Sequence, residues 1–115
     1  MRIVVSAGGG VPTDQIRDQI RGLIVTGALG AGERLPSVRQ LAQDLDVAPR
    51  TVAKAYKALE VEGMLQTRVG AGTRVAEGAS LTPVRVLEAA RALSSVAQQQ
   101  GLSADDAQRI LRAVW

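Results

Sequence analysis

The stretch from Arg34 to Val75 carries two short amphipathic patterns that are separated by only a few residues. Each pattern repeats apolar residues at i, i+3, i+4 and i+7, the spacing of one helix face. The apolar positions are Val38, Leu41, Ala42 and Leu45 in the first pattern and Val52, Ala55, Tyr56 and Leu59 in the second. Ser37 and Gln40 are spaced as a capping box before the first helix, and Pro49 suits the first turn of the second. Two short helices joined by a tight turn form a helix-turn-helix.

A glycine-rich tip follows these helices and predicts a β-hairpin. Residues 65–69 and 73–75 are short β segments around Gly70-Ala71-Gly72. Glycine lets the backbone approach a phosphate or a minor groove closely, and Arg68 and Arg74, which flank the tip, supply charge. A plain hairpin turn with solubilising arginines is the alternative. Directly after a helix-turn-helix, the pattern favours a wing, so the fold class is mainly α with a small β-hairpin.

Projection of the second helix at 100° per residue places Arg50, Lys54 and Lys57 opposite the apolar stripe, with Thr51 on the flank. Three cations within two turns repel one another, which disfavours the helix but suits phosphates and guanine edges. The alternative is a solvated charged face, which usually mixes signs. Here the acids Glu60 and Glu62 come only at the far end, so the pattern favours duplex DNA as the partner.

Charge and composition restrict the remaining classes. Residues 1–75 carry ten Lys/Arg against seven Asp/Glu, whereas residues 76–115 carry four of each, so the excess of +3 belongs to the front part. The chain has no cysteine and no histidine. These absences disfavour an enzyme and predict no metal or cofactor. No apolar run approaches the ~20 residues that a membrane helix needs, so we expect a cytoplasmic protein.

The segments before the helix-turn-helix have weaker signals. Residues 2–5 include Ile-Val-Val and predict a short strand. Residues 13–26 predict a helix, with Thr13 as its cap. Ile16, Ile20 and Ile24 fall with Leu23 on one apolar stripe. We expect this helix to complete a DNA-binding domain over residues 1–76.

The last part of the chain, residues 77–115, predicts a linker over residues 77–81 and then two helices. Thr82 and Pro83 suit the start of the first helix, and Ser103 suits the cap of the second. Isolated helices this short are marginal, so they must pack either on the front domain or on the same hairpin of a second chain. We favour a homodimer through this two-helix hairpin. Its predicted contact residues are Val86, Leu87, Ala90, Leu93, Ala97, Ile110, Leu111 and Val114.

Four ordered blocks resemble the GntR family of bacterial transcription regulators. They begin at Pro12 and Gln15-Ile16, continue through residues 32–42 and 51–63, and end with Gly70, Gly72 and Thr73. The short helical tail further resembles the small YtrA subfamily, in which it dimerises. The resemblance covers about residues 10–76 in its DNA-binding part.

The resemblance implies roles for individual residues. Arg39 would hold a phosphate or reach a base, and Arg50, Thr51 and Lys54 would enter the major groove. The wing contact would come from Arg68, Gly70, Gly72 and Thr73. The chain departs from the family where Asn is frequent (Arg50), where a basic residue is common (Ala71) and where a large apolar residue is common (Arg74). Whether Arg74 points into the core or towards DNA stays open from the sequence.

These observations predict a homodimeric winged helix-turn-helix transcription regulator, a repressor that binds an inverted-repeat operator. Two alternatives remain at this point: a winged-helix protein–protein adaptor and a weakly specific architectural DNA binder. A small-molecule effector is possible, but the sequence has no residues that would place one.

Overall fold

The computed structural model describes residues 1–79 and 82–115, and of Val84 the backbone alone. Contacts between Cα atoms divide the chain into two compact units, Met1–Leu81 and Thr82–Trp115. The helices are α1 (Pro12–Val25), α2 (Val38–Leu45), α3 (Pro49–Val61), α4 (Val84–Gln99) and α5 (Ala104–Val114), and the strands are β1 (Leu65–Arg68) and β2 (Gly72–Val75). The predicted fold class, mainly α with a small β-hairpin, is confirmed.

The core of the first unit is aliphatic and centres on α3, which packs against both α1 and α2. Fully buried residues lie on the predicted stripes, among them Ile16, Ile20 and Ile24 of α1 and Val52 and Leu59 of α3. The hairpin closes one side of this core with Leu65 and Val75, and the preceding loops add Leu29 and Leu35. The periodicity therefore identified the helical part of the core, whereas the loop and strand contributions depend on tertiary packing.

The connection between α2 and α3 contains no glycine, yet it adopts a left-handed conformation. Asp46 ends α2 with a φ of 54°, and Val47 N–H donates to the Ala42 carbonyl at 3.0 Å. At the other end of α2, Ser37 Oγ accepts from Gln40 N–H at 3.1 Å. The predicted capping box is only half formed, because the Gln40 side chain donates to Asp44 instead, at 2.8 Å. An i,i+4 partner on the exposed face thus competes with the return bond of the box.

The wing is attached to the segment that leads into α2. Strands β1 and β2 are antiparallel, with Leu65 opposite Val75 and Arg68 opposite Gly72. A further bridge joins Arg34 to β2, and Leu35 N–H donates to the Thr73 carbonyl at 2.9 Å. This segment is also tied to α3. Helix α3, which carries the predicted DNA-binding cations, and the wing are therefore both attached to the segment before α2.

That second tie is a buried hydrogen bond from α3. The hydroxyl of Tyr56 donates to the Pro36 carbonyl at 2.8 Å, and Tyr56 is only 4% exposed. Burial raises the pKa of this phenol, so the hydroxyl keeps its proton and remains a donor. The orientation of α3 relative to the start of α2 is fixed by this bond as well as by apolar packing.

Two predictions for the amino-terminal part are wrong. Residues 2–5 form no strand, because side chains of α1 rather than another strand satisfy the extended backbone. Gln19 bonds both backbone groups of Val4, accepting from its N–H at 2.9 Å and donating to its carbonyl at 2.6 Å. Gln15 does the same for Ser6, with both distances at 2.9 Å.

The predicted cap of α1 is the second wrong assignment. The helix begins at Pro12, whose fixed φ suits the first helical position, and its N-cap is Val11, without a side-chain cap. Thr13 therefore lies inside the first turn. Its hydroxyl donates to the Thr51 carbonyl at 3.4 Å, which connects the start of α1 to the start of α3.

The second unit is a pair of contacting helices. Helix α4 begins at Val84 with Pro83 as N-cap, one residue later than predicted, and Ser80 and Leu81 of the predicted linker lie outside the described residues. The cap of α5 is confirmed as a complete capping box between Ser103 and Asp106. Across the described ranges, every helix falls short of the length and hydropathy of a bilayer-spanning segment.

Candidate nucleic-acid interface

The cations of α1 are neutralised by neighbouring acids. Arg17 lies 3.2 Å from Asp14 and 2.9 Å from Asp18. Arg21 pairs with Asp18 at 2.9 Å and with Glu62 at the end of α3. The hydrogen bond from Arg17 lowers the pKa of Asp18, and the nearby positive charges add to this effect. Helix α1 therefore offers little net charge to a polyanion.

The cations of α2 and α3 are in the opposite situation. Arg39, Arg50, Lys54 and Lys57 are all exposed, and none of them forms an ion pair with a described residue. The buried stripe of α3 faces α1 and α2, so the three cations of this helix lie on its outer side. Thr51 is half-buried at their edge. The four cations that were predicted to bind DNA thus keep their full charge and are accessible to solvent.

The wing separates its predicted contact residues between two faces. Its tip is a tight turn in which Ala71 N–H donates to the Arg68 carbonyl at 3.0 Å, and Gly70 and Gly72 have φ values of 79° and 72°. Side chains other than glycine rarely adopt these angles. Because opposite residues of an antiparallel pair share a face, Arg68 and Gly72 lie on the outer face.

Thr73 lies on the other face, together with the core residues Leu65 and Val75. Its hydroxyl is 3.1 Å from that of Thr67. Arg74 lies on the outer face, is exposed, and donates from Nη1 to the Gly32 carbonyl at 3.2 Å. Arg74 therefore points away from the core, which the sequence had left open.

The predicted dimerisation residues are mostly uncovered in the second unit. Six of them are exposed: Val86, Ala90, Leu93, Ile110, Leu111 and Val114. Leu87 is half-buried. Ala97 is buried near the turn between α4 and α5, where Leu102 N–H donates to its carbonyl at 2.8 Å. Two further large apolar residues of this unit are exposed as well, Val96 at 55% and Trp115 at 96%.

Helix α3 with its unpaired cations, packed on α1 and α2 and flanked by a hairpin, defines a winged helix-turn-helix DNA-binding protein. The sequence model of the family described as "Bacterial regulatory proteins, gntR family" matches residues 12–75. The chain belongs to the GntR family, as its sequence motifs indicated, and this is a family of regulatory proteins rather than enzymes.

Two curated relatives match to different extents, and one of them matches nearly the whole chain. The HTH-type transcriptional regulator Rv1152 of Mycobacterium tuberculosis is 40% identical over 114 residues, which are 99% of this chain and 93% of that protein. The HTH-type transcriptional repressor YtrA of Bacillus subtilis is 45% identical over 71 residues, which are 62% of this chain and 55% of that protein. The likeness to Rv1152 therefore includes the helical tail.

Solved structures agree with this assignment. YtrA from Sulfolobus acidocaldarius, a GntR-family transcription factor, is 32% identical with a TM-score of 0.61, over 83% of this chain and 97% of that one. The DNA-binding domain of AraR in complex with operator ORX1 is 26% identical with a TM-score of 0.56, over 66% of this chain and 92% of that one. The chain is a DNA-binding transcription regulator.

Proposed function

We propose that this protein is a homodimeric repressor that binds an inverted-repeat operator. The observation that carries the proposal is the contrast between the paired cations of α1 and the unpaired cations of α2 and α3. Because the arginines of α1 are paired and the cations of α2 and α3 are not, the positive potential is concentrated on the side of α2 and α3. Repression is the activity that the name of the Bacillus subtilis YtrA gives to that relative.

Recognition of base pairs falls to the first turns of α3. Arg50 and Lys54 are one helical turn apart on its exposed side, within reach of neighbouring bases in the major groove. Arginine is suited to the two acceptors of guanine, so Arg50 favours a G·C pair in each half-site. Thr51 contacts the groove wall from the flank.

Contacts to the DNA backbone come from the residues around α3. Arg39 of α2 and Lys57 further along α3 take phosphates, and the wing supports them with Arg68, Gly70 and Gly72. Thr73 contributes to the wing contact through its backbone and its exposed hydroxyl pair with Thr67. These contacts fix the register of the protein but carry little sequence information.

Dimerisation uses the apolar surface of α4 and α5. Val86, Ile110, Leu111 and Val114 are each 45–74% exposed, and apolar side chains of this size gain ~1.5–3 kcal/mol when they are fully buried. A two-fold dimer would place two copies of α3 about 34 Å apart, one turn of B-DNA. The dimer would block RNA polymerase at the promoter in the cytoplasm.

Selection of bound fragments from the source genome, followed by salt titration on the best fragment, tests the proposal. Binding should weaken linearly on a log–log scale, with a slope of about −0.9 for each phosphate contacted. Preference for the selected fragment over random DNA contradicts an architectural role. Absence of any complex at low salt would instead support an adaptor and overturn the proposal.

Paired substitutions sharpen the titration. Lys57→Ala should reduce the salt slope by about one contact. Arg17→Ala removes the same charge from α1 but should leave the slope unchanged, because Arg17 already pairs with Asp14 and Asp18. Equal effects of the two variants would show that net charge, and not the α3 surface, controls binding.

A further inference from the structure

Three arginines gather on the outer face of the wing. The strand register places Arg68 and Arg74 on this face, and an antiparallel bridge sets Arg34 directly opposite Arg74. Directly opposite residues of an antiparallel pair have adjacent side chains on the same face. We call Arg34, Arg68 and Arg74 the wing-face arginines.

The backbone of β2 accommodates one of these side chains closely. If Gly72 carried a Cβ, that atom would lie 3.1 Å from Nε and 3.2 Å from Nη2 of Arg34. The guanidinium of Arg34 therefore lies across Gly72, in the space that any other residue would fill. Glycine at this position permits the φ of 72° and also leaves room for the Arg34 side chain.

The charges of the wing-face arginines are uncompensated. None of the three forms an ion pair with a described residue. Glu77 lines the same shallow depression of about 180 Å³ as Arg68 and Arg74, but stays outside ion-pair distance of both. Like charges directly opposite each other destabilise a sheet. A bound polyanion would relieve this repulsion, because its negative charges would neutralise the arginines.

We propose that the wing-face arginines bind phosphates of the DNA backbone, so that this wing grips DNA with its face. The tip itself adds no side-chain charge, since it presents the fully exposed Val69 and the uncharged Ala71. Arginine forks match the geometry of phosphate oxygens, and duplex DNA offers one phosphate per ~1.7 Å of its axis. The inference rests on the DNA binding proposed for α3 and adds Arg34 and Arg74 to the contact.

The test compares two double variants of the full chain. Arg34→Gln with Arg74→Gln removes two charges, whereas Arg34→Lys with Arg74→Lys keeps them. Anisotropy of a labelled operator duplex is measured at several salt concentrations. We expect the Gln variant to lower the steepness of the salt dependence by about two contacts, equally on operator and random DNA, and the Lys variant to keep the parent slope.

A charge-matched control uses Arg85→Gln with Arg112→Gln in the second unit, which should keep the parent slope. Circular dichroism melts establish that each variant is folded. If the double Gln variant does not fold, the single variant Arg74→Gln replaces it, and its salt dependence should fall by about one contact. If a folded Gln variant showed the same salt dependence of DNA binding as the parent protein, the inference would be overturned. If the parent itself binds no DNA, the proposed function fails as well, so the two failures are distinguishable.

Discussion

Substitution of Tyr56 by Phe tests how α3 is held against the start of α2. The change removes only the hydroxyl that donates to the Pro36 carbonyl at 2.8 Å, at a side chain that is 4% exposed. The lost bond costs about 0.5–1.5 kcal/mol, and a carbonyl left without a partner raises the total towards about 2 kcal/mol. For a unit of this size, each kcal/mol lowers the melting temperature by about 4–8 °C.

The difference between parent and variant should depend on pH. Burial raises the pKa of Tyr56, so the folded protein keeps the phenolic proton at a pH where the unfolded chain, with a pKa of about 10, releases it. The contribution of this proton is fully present below about pH 10. Above it, the free energy of unfolding of the parent falls by about 1.4 kcal/mol per pH unit. The Phe variant lacks this loss, so its deficit should shrink between pH 9 and 11.

Urea denaturation followed by circular dichroism measures both effects, because groups common to the two proteins cancel in the difference. Val61→Ala is the matched control on α3. Val61 is 78% exposed, so its truncation should change stability by less than about 0.5 kcal/mol. Equal unfolding midpoints for parent and Phe variant at pH 7, or a deficit that does not shrink by pH 11, would refute the reasoning.

Three further predictions concern binding, assembly and stability. Arg50→Ala should cost about 1–3 kcal/mol of operator affinity by anisotropy and relax base selection; an equal loss on random DNA would assign Arg50 to the backbone. Leu93→Asp should halve the mass measured by light scattering, whereas Ser95→Asp, on another side of α4, should not; a dimeric mass for Leu93→Asp would reject this interface. Gly22→Ala should raise the free energy of unfolding by about 0.5–1 kcal/mol in urea titrations, because Gly22 lies inside α1 and a Cβ there meets no atom within 4 Å; a loss of stability would contradict this.

The sequence predicted the helices well because their signals are local. Residues of the predicted apolar stripes of α1 and α3, such as Ile20 and Leu59, are fully buried. Gly70 and Gly72 adopt the positive φ that the tight turn at the tip requires. Arg74 could not be oriented in this way. Its direction depends on the register with β1, and a shift of one residue would reverse every side chain of the strand.

The amino-terminal segment shows why β propensity alone misled. Ile3, Val4 and Val5 favour extended backbone, but a strand needs neighbouring backbone as a partner. Here Gln15 and Gln19 take that role. Residues four apart on a helix are separated by about 6 Å along its axis, close to the rise of two strand residues, so both amides can reach alternate positions of an extended chain. That spacing of glutamines is the signal that the sequence offered.

The same two glutamines protect the amino-terminal segment against aggregation. An extended Ile-Val-Val segment with free backbone groups is a template for strand addition by another molecule and hence for aggregation. The edge that carries the backbone groups of Val4 and Ser6 is occupied by the amides of Gln19 and Gln15. Loss of either amide, as in Gln15→Leu, would reopen part of that edge, and such a chain should form insoluble material sooner on heating than its parent.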